Sequence, residues 1–226
     1  MSGDVLRVED LADRLAALVA VVAPRRAVLG IAGPPGAGKT TLVTRLLAAT
    51  AAHPSLSEHV AHVPMDGYHL TNRSLEALGR RDRKGAPDTF DTPSYAGVLA
   101  AVRTVPRVAV TAPSFDHVEG EPVPDSLLVP VTADLVVTEG NYLLLDEDPW
   151  TSVPPLLDEV WWCGLDAAAR VHRLVTRHVE TGRDTDDATT WVLRSDEANA
   201  RRVEGGDARA DVVLVDGVVV RSRPVG

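Results

Sequence analysis

Residues 27–42 read AVLGIAGPPGAGKTTL, and this stretch decides the fold. Ala27 to Ala32 form an unbroken apolar run with the length of a strand covered on both faces. The run leads into Gly33-Pro34-Pro35-Gly36-Ala37-Gly38-Lys39-Thr40, with Thr41 next, a complete fit to the phosphate-loop pattern G-x-x-x-x-G-K-[ST]. Glycines at these positions let backbone N–H groups turn inward on phosphates, and the following helix adds the positive end of its dipole. Gly33 to Thr41 are therefore expected to hold a nucleotide, with Lys39 reaching the β and γ phosphates and Thr40 reaching Mg²⁺. The cofactors implied are ATP and Mg²⁺.

Outward from this stretch, strand-length apolar runs alternate with helical patterns. A helix is expected from Lys39 to about Ala52, followed by a strand over HVAHVPMD (59–66). Further strands are expected over RVAVTA (107–112), DLVVTEG (134–140) and EVWWCGL (159–165). This alternation describes βαβ units, hence a three-layer α/β P-loop domain: a parallel sheet flanked by helices. Short helices are expected from Asn72 to Leu78, closed by Gly79, and from Pro93 to Arg103, with Thr92 as the cap. In VVLVDGVVV, Asp216-Gly217 separates two β-branched runs, the signal of a C-terminal β-hairpin. Val8, Leu11, Leu15, Leu18 and Val22 recur at helical spacing, so residues 1–23 are expected to supply an N-terminal helix.

A chain of 226 residues suits a single domain over 1–226. The net charge of −9 argues against a nucleic-acid surface. The apolar N-terminal run is interrupted by Asp10, Asp13 and Arg14, so it reads as neither signal peptide nor membrane span, and the cytoplasm is the expected compartment. The single cysteine, Cys163, has no internal partner and is expected to be buried and inert. The two lysines, Lys39 and Lys84, follow Gly38 and Arg83, so the guanine-reading N-K-x-D motif is absent and the usual GTPase is excluded. A small kinase fits the length; a homodimer is left open.

Phosphoryl transfer to an alcohol needs a group that orients the hydroxyl and takes its proton, and an acid beside the metal. Asp66 and Glu139 each close a strand pattern and each precede a glycine, which points them into the crevice at the carboxyl ends of the strands. Either could lie on the metal side. Between Gly67 and Asp91, Tyr68, His69, Arg83, Lys84, Asp88 and Asp91 offer donors and acceptors suited to a polyhydroxylated or carboxylated molecule. Aromatic residues able to stack a base are few in this part of the chain: Tyr68, Phe90, Tyr95 and Phe115.

The segments MDGYHLTN (65–72), RKGAPDTFD (83–91), TAPSFDH (111–117) and TEGNYLL (138–144), in this order after the phosphate loop, resemble the uridine kinase, phosphoribulokinase and pantothenate kinase superfamily. The resemblance runs from about Val28 to about Val215, and R-K-G-x-P-[DE]-x-[FY]-D looks most like bacterial pantothenate kinases and the small kinases similar to them, including those associated with sugar transport. It implies a catalytic acid at Asp66 and a metal-side acid at Glu139. It also implies an acceptor-binding segment over 67–103 containing Arg83, Lys84 and Asp91, with Phe115 and His117 nearby; Phe115 stands where pantothenate kinases usually carry tyrosine. The helix in DAAARVHRLVTRHVETGR is similar to the arginine-bearing lid of these kinases, giving a helical lid over 167–187 with Arg173 and Arg177 on the transferred phosphoryl group. By the same resemblance Asn199 to Asp207 would form the adenine loop. His62 and His178 read as structural or exposed.

The function expected is transfer of the γ-phosphate of ATP to a hydroxyl of a small metabolite: a sugar, a polyol or a pantothenate-like molecule. The alternatives are a uridine-type nucleoside kinase and, from another class, a regulatory P-loop ATPase that transfers phosphate only to water.

Overall fold

The computed structural model describes residues 8–225. Its centre is a six-stranded sheet in the order β2-β5-β1-β6-β7-β8, formed by β1 (Ala27–Ala32), β2 (Val60–His62), β5 (Leu135–Gly140), β6 (Glu159–Gly164), β7 (Val212–Val215) and β8 (Val218–Ser222). Every pairing is parallel except the last, where β7 and β8 close the expected hairpin around Asp216-Gly217. All six residues of β1 are buried, as are all six of β5. Alternate side chains explain this: Val28 and Ala32 join the apolar cluster on one face, and Ala27, Leu29 and Ile31 join the cluster on the other.

Helices cover both faces. α1 (Val8–Val22) brings Leu11, Leu15 and Leu18 against Leu42, Val43 and Leu46 of α2 (Lys39–Ala52) on one side. On the other lies α4 (Thr92–Val102), through Tyr95, Leu99 and Val102. The short α3 (Asn72–Ala77) is capped by Thr71, whose hydroxyl accepts from the Ser74 N–H. The expected N-terminal helix is present from Val8; its residues 1–7 lie outside the described residues. Past β6, α5 (Ala167–Glu180) is followed by α6 (Thr185–Trp191), a π-helical turn at Val192–Asp196, and α7 (Glu197–Arg202). Among the described residues no helix is long and apolar enough to cross a membrane.

Three expectations are corrected. The strand expected over 59–66 is hydrogen-bonded only from Val60 to His62; the chain then enters a 3₁₀ turn at Met65–Tyr68 that contains Asp66. The strand expected over 107–112 does not enter the main sheet. It starts at Val110, runs to Asp116 as β3, and pairs antiparallel with an unforeseen strand, β4 (Glu121–Val129), in a separate two-stranded sheet. Pro122 and Pro124 hide β4 from a sequence reading, and they are tolerated because every strand of a two-stranded sheet is an edge. Finally, the cap of α4 is Asp91, whose carboxylate accepts from the Ser94 N–H; Thr92 is already helical and its hydroxyl is buried without a partner.

Candidate active site

The phosphate loop leaves β1 at Ala32 and enters α2 at Lys39, with Gly36 and Gly38 at φ 77° and 93°, a left-handed backbone that glycine alone adopts without strain. Gly38 caps α2 with no side chain, so the first N–H groups of the helix have no competing partner there. The Lys39 ammonium uses all three of its donors, on the Gly33 carbonyl (3.0 Å), the Pro34 carbonyl (3.0 Å) and Asn141 Oδ1 (2.7 Å). Burial lowers the pKa of Lys39, while the carboxylates of Glu139 and Asp66 act in the opposite direction.

Thr40 Oγ1 donates to Glu139 Oε2 at 3.0 Å, and Glu139 is only 8% exposed. Burial raises the Glu139 pKa, an effect reduced by Lys39 and by the Thr40 hydroxyl and reinforced by the Asp66 charge. A hydroxyl and a carboxylate held together beside a phosphate loop form the hard oxygen donor set that suits Mg²⁺, so these residues fit that ion. Over the loop lies a cavity of about 470 Å³, bounded also by Arg45, Arg173, Arg177, Leu214, Asp216 and Gly217.

Asp66 and Glu139 lie at the carboxyl ends of neighbouring strands, but the glycines after them serve a purpose other than turning the chain. A Cβ at Gly67 would strike the Pro113 carbonyl of β3, and one at Gly140 would strike Met65. The two glycines let the Asp66 turn sit between β3 and the end of β5.

Several of the residues expected on the acceptor side come together. His69 donates from Nδ1 to the Asp66 carbonyl (2.8 Å), and its ring packs against Phe90 and Phe115 at centroid distances of 4.1 and 4.6 Å. Lys84 Nζ lies 5.4 Å above the Phe115 ring and donates to Asn72 Oδ1 (2.7 Å) and to the Gly120 carbonyl. His117 approaches Phe115 edge-on and is exposed. Tyr68 is buried against Tyr95, its hydroxyl unpartnered, and its pKa is raised by burial and by nearby Asp91. Arg83 is not drawn into this group: it is exposed and pairs with Asp88 at 2.6 Å.

The helix expected to act as a lid divides its arginines. Arg173 and Arg177 line the cavity, with Arg173 3.3 Å from Asp216 of the hairpin turn. Arg170 is buried, donates to the Pro35 carbonyl of the phosphate loop (3.2 Å) and pairs with Glu197 (2.9 Å). Residues 199–207 do not line this cavity; Asn199 donates to the Gly85 carbonyl, and Asp216 and Gly217 of the hairpin turn line it. Cys163 is free and buried, and burial pushes its thiol up to about 11, in line with an inert group.

Two residues of the site escaped the sequence reading. Asn141 was visible only as the residue after Glu139-Gly140, with nothing local to show that it would meet Lys39. His62, read as structural or exposed, is half-buried, and nothing in the sequence signals that its buried Nε2 lies 3.6 Å from Glu139 Oε1. The pairing of His62 with Val137, in register two residues before Glu139, creates that proximity.

A family model described as the phosphoribulokinase / uridine kinase family matches residues 28–221. The chain is 35% identical to "Uncharacterized protein YggC" of Escherichia coli (strain K12), over 88% of this chain and 82% of that one. It is 33% identical to "Putative uridine kinase C227.14" of Schizosaccharomyces pombe, over 84% and 83%. Among solved structures, a "putative fructose transport system kinase" from Silicibacter sp. TM1040 superposes with a TM-score of 0.82 at 31% identity, covering 92% of this chain and 99% of the other.

Proposed function

The chain belongs to the phosphoribulokinase / uridine kinase family and is an ATP-dependent P-loop kinase, and from that premise we propose that it phosphorylates a hydroxyl of a sugar, polyol or pantothenate-like hydroxy acid. Gly33 to Thr41 bind the triphosphate, and Lys39, Arg173 and Arg177 offset the negative charge that spreads over the transferred phosphoryl oxygens. Thr40 and Glu139 would hold Mg²⁺, which would supply further neutralisation of phosphate charge. Asp66 orients the attacking hydroxyl and accepts its proton. Tyr68, His69, Lys84, Asp91, Phe115 and His117 bind the acceptor, with Arg83 at the outer margin.

One observation carries the choice of acceptor: the aromatic rings nearby are already packed. Tyr68, Phe90 and Tyr95 are core residues at 4%, 7% and 0% exposure. Phe115 has His69, Lys84 and His117 around its ring. Little aromatic face is left for a nucleobase, whereas hydroxyl, imidazole and carboxylate groups suit a molecule rich in hydroxyls. The name carried by the Silicibacter structure supports the same reading.

A coupled ADP-release screen with Mg²⁺ and ATP against sugars, polyols, pantothenate and nucleosides tests it. A site that pairs hydroxyls rejects analogues lacking them by roughly 10⁴ or more, so one class should stand out. Preferred turnover of uridine or cytidine would overturn the acceptor class. Hydrolysis of ATP at a rate indifferent to every metabolite would favour a regulatory ATPase.

A further inference from the structure

Glu139 presents its two oxygens to two different elements. Oε2 accepts from Thr40 at the start of α2, and Oε1 faces His62 at the end of β2, 3.6 Å from Nε2. That Nε2 has essentially no solvent contact and no hydrogen-bond partner, although the His62 side chain as a whole keeps 27% exposure. Buried ring nitrogens are rarely left unpaired, and one aimed at a carboxylate a tenth or so of an ångström beyond bonding range requires an explanation. Packing alone would be served equally well by an apolar side chain at the end of a half-covered strand.

We propose that His62 is a positioning residue for Glu139: its Nε2–H restrains Oε1, so that Oε2 stays directed at Thr40 and at the divalent cation the pair would hold. This rests on the reading of Thr40 and Glu139 as the cation site. An imidazole with its proton on Nε2 is a donor toward a carboxylate, and the buried, unpartnered Nε2 faces Oε1. Groups that bond to a ligating carboxylate orient it, and losing one typically weakens metal binding by about 10- to 100-fold.

The test compares two side chains of nearly the same shape in the full chain. His62→Met removes the donor and His62→Gln retains one; His62→Leu serves as a second donor-less variant should Met fail to fold. Mn²⁺ affinity in the presence of ADP is read by electron paramagnetic resonance, together with ADP affinity without metal and the thermal midpoint. The expected result is Mn²⁺ binding weakened about 10- to 100-fold in the donor-less variant and largely restored in His62→Gln, with metal-free ADP affinity unchanged. Wild-type Mn²⁺ affinity in the donor-less variant, or Gln no better than Met, overturns the proposal. Glu139→Gln separates the two levels: if it loses Mn²⁺ while His62→Met does not, the inference alone fails. Should Glu139→Gln bind Mn²⁺ normally, the cation-site reading fails and the role of His62 goes with it.

Discussion

Lys39 donates to two carbonyls of its own loop and to one side chain, Asn141, and of these partners only the amide of Asn141 can rotate away without moving the backbone. A phosphate can therefore take the place of Asn141 while the loop keeps its shape. Charge stabilisation is most of phosphoryl-transfer catalysis, so Lys39→Met should lower transfer by on the order of 10³ or more. Steady-state ADP release checks this, with circular dichroism to show an intact fold; near-normal turnover would remove Lys39 from the mechanism. Asp66→Asn keeps the shape of the side chain and removes its ability to accept a proton, so kcat should fall by about 10² to 10⁴ with nucleotide affinity little changed. A variant that binds ATP poorly and keeps its kcat would move Asp66 to the metal side. The residues behind these predictions were legible in the sequence for different reasons. Gly33 to Thr41 form one contiguous loop whose local pattern fixes its geometry. Asp66 depended on its strand position and on a family resemblance. The contacts of Asn141 and His62 join residues 102 and 77 positions away, and no local pattern encodes such a pairing.

Among the elements, the β3–β4 hairpin and α5 hold the two sides of the site in place through single basic side chains. Lys84 links the acceptor segment to the hairpin by its bonds to Asn72 and Gly120 and its position over Phe115. Lys84→Met should speed amide hydrogen exchange across 110–129 while leaving exchange in β1 and α2 unchanged; equal protection in both proteins would show that the hairpin is held by other contacts. Arg170 does the corresponding task for the phosphate loop, joining Pro35 to Glu197 of α7. Removing one partner of a buried pair leaves the other charge uncompensated, so Arg170→Met should destabilise the protein by about 3–5 kcal/mol, read from urea denaturation. Elements were legible where one rule dominated: β1 and β5 by continuous apolar character, α2 by following the phosphate loop, and the last hairpin by Asp-Gly. They were illegible where tertiary pairing overrode composition. RVAVTA has the pattern of a sheet strand, but its strand pairs with β4 instead, and Arg26, buried just before β1, ties the base of that hairpin to the main sheet by donating to the carbonyls of Val102, Val108, Pro130 and Ala133.

At the scale of the molecule, the amino and carboxyl ends of the sheet strands each carry a buried acid, and the pKa values of the two are shifted in opposite directions. Asp158, just before β6 at the amino ends of the strands, joins Arg25, Arg103 and the Val28 N–H. Its burial favours the neutral form, but these partners prevail and lower its pKa below the ordinary 3.8. Glu139, at the carboxyl ends, has too few compensating partners, and burial raises its pKa above the ordinary 4.5. The linkage signs follow. The contribution of Asp158 is fully present above pH 3.8 and is lost as pH falls through its lower folded value; that of Glu139 is present below pH 4.5 and is lost as pH rises through its higher folded value. Above these ranges the Asp158 partnership stabilises the fold, whereas the stability that burial lends to protonated Glu139 is lost as pH rises. Asp158→Asn should therefore lower stability at neutral pH and flatten its decline below pH 3.8. Glu139→Gln, which mimics the protonated acid, should instead raise the urea midpoint of the protein at neutral pH while abolishing transfer, an exchange of stability for function common at active sites. Urea midpoints from acid to neutral pH for the parent and both variants decide the matter. A Glu139→Gln protein less stable than the parent near neutrality would mean that Lys39 and Thr40 already compensate the buried charge in full, and the contrast between the two ends of the strands would not hold.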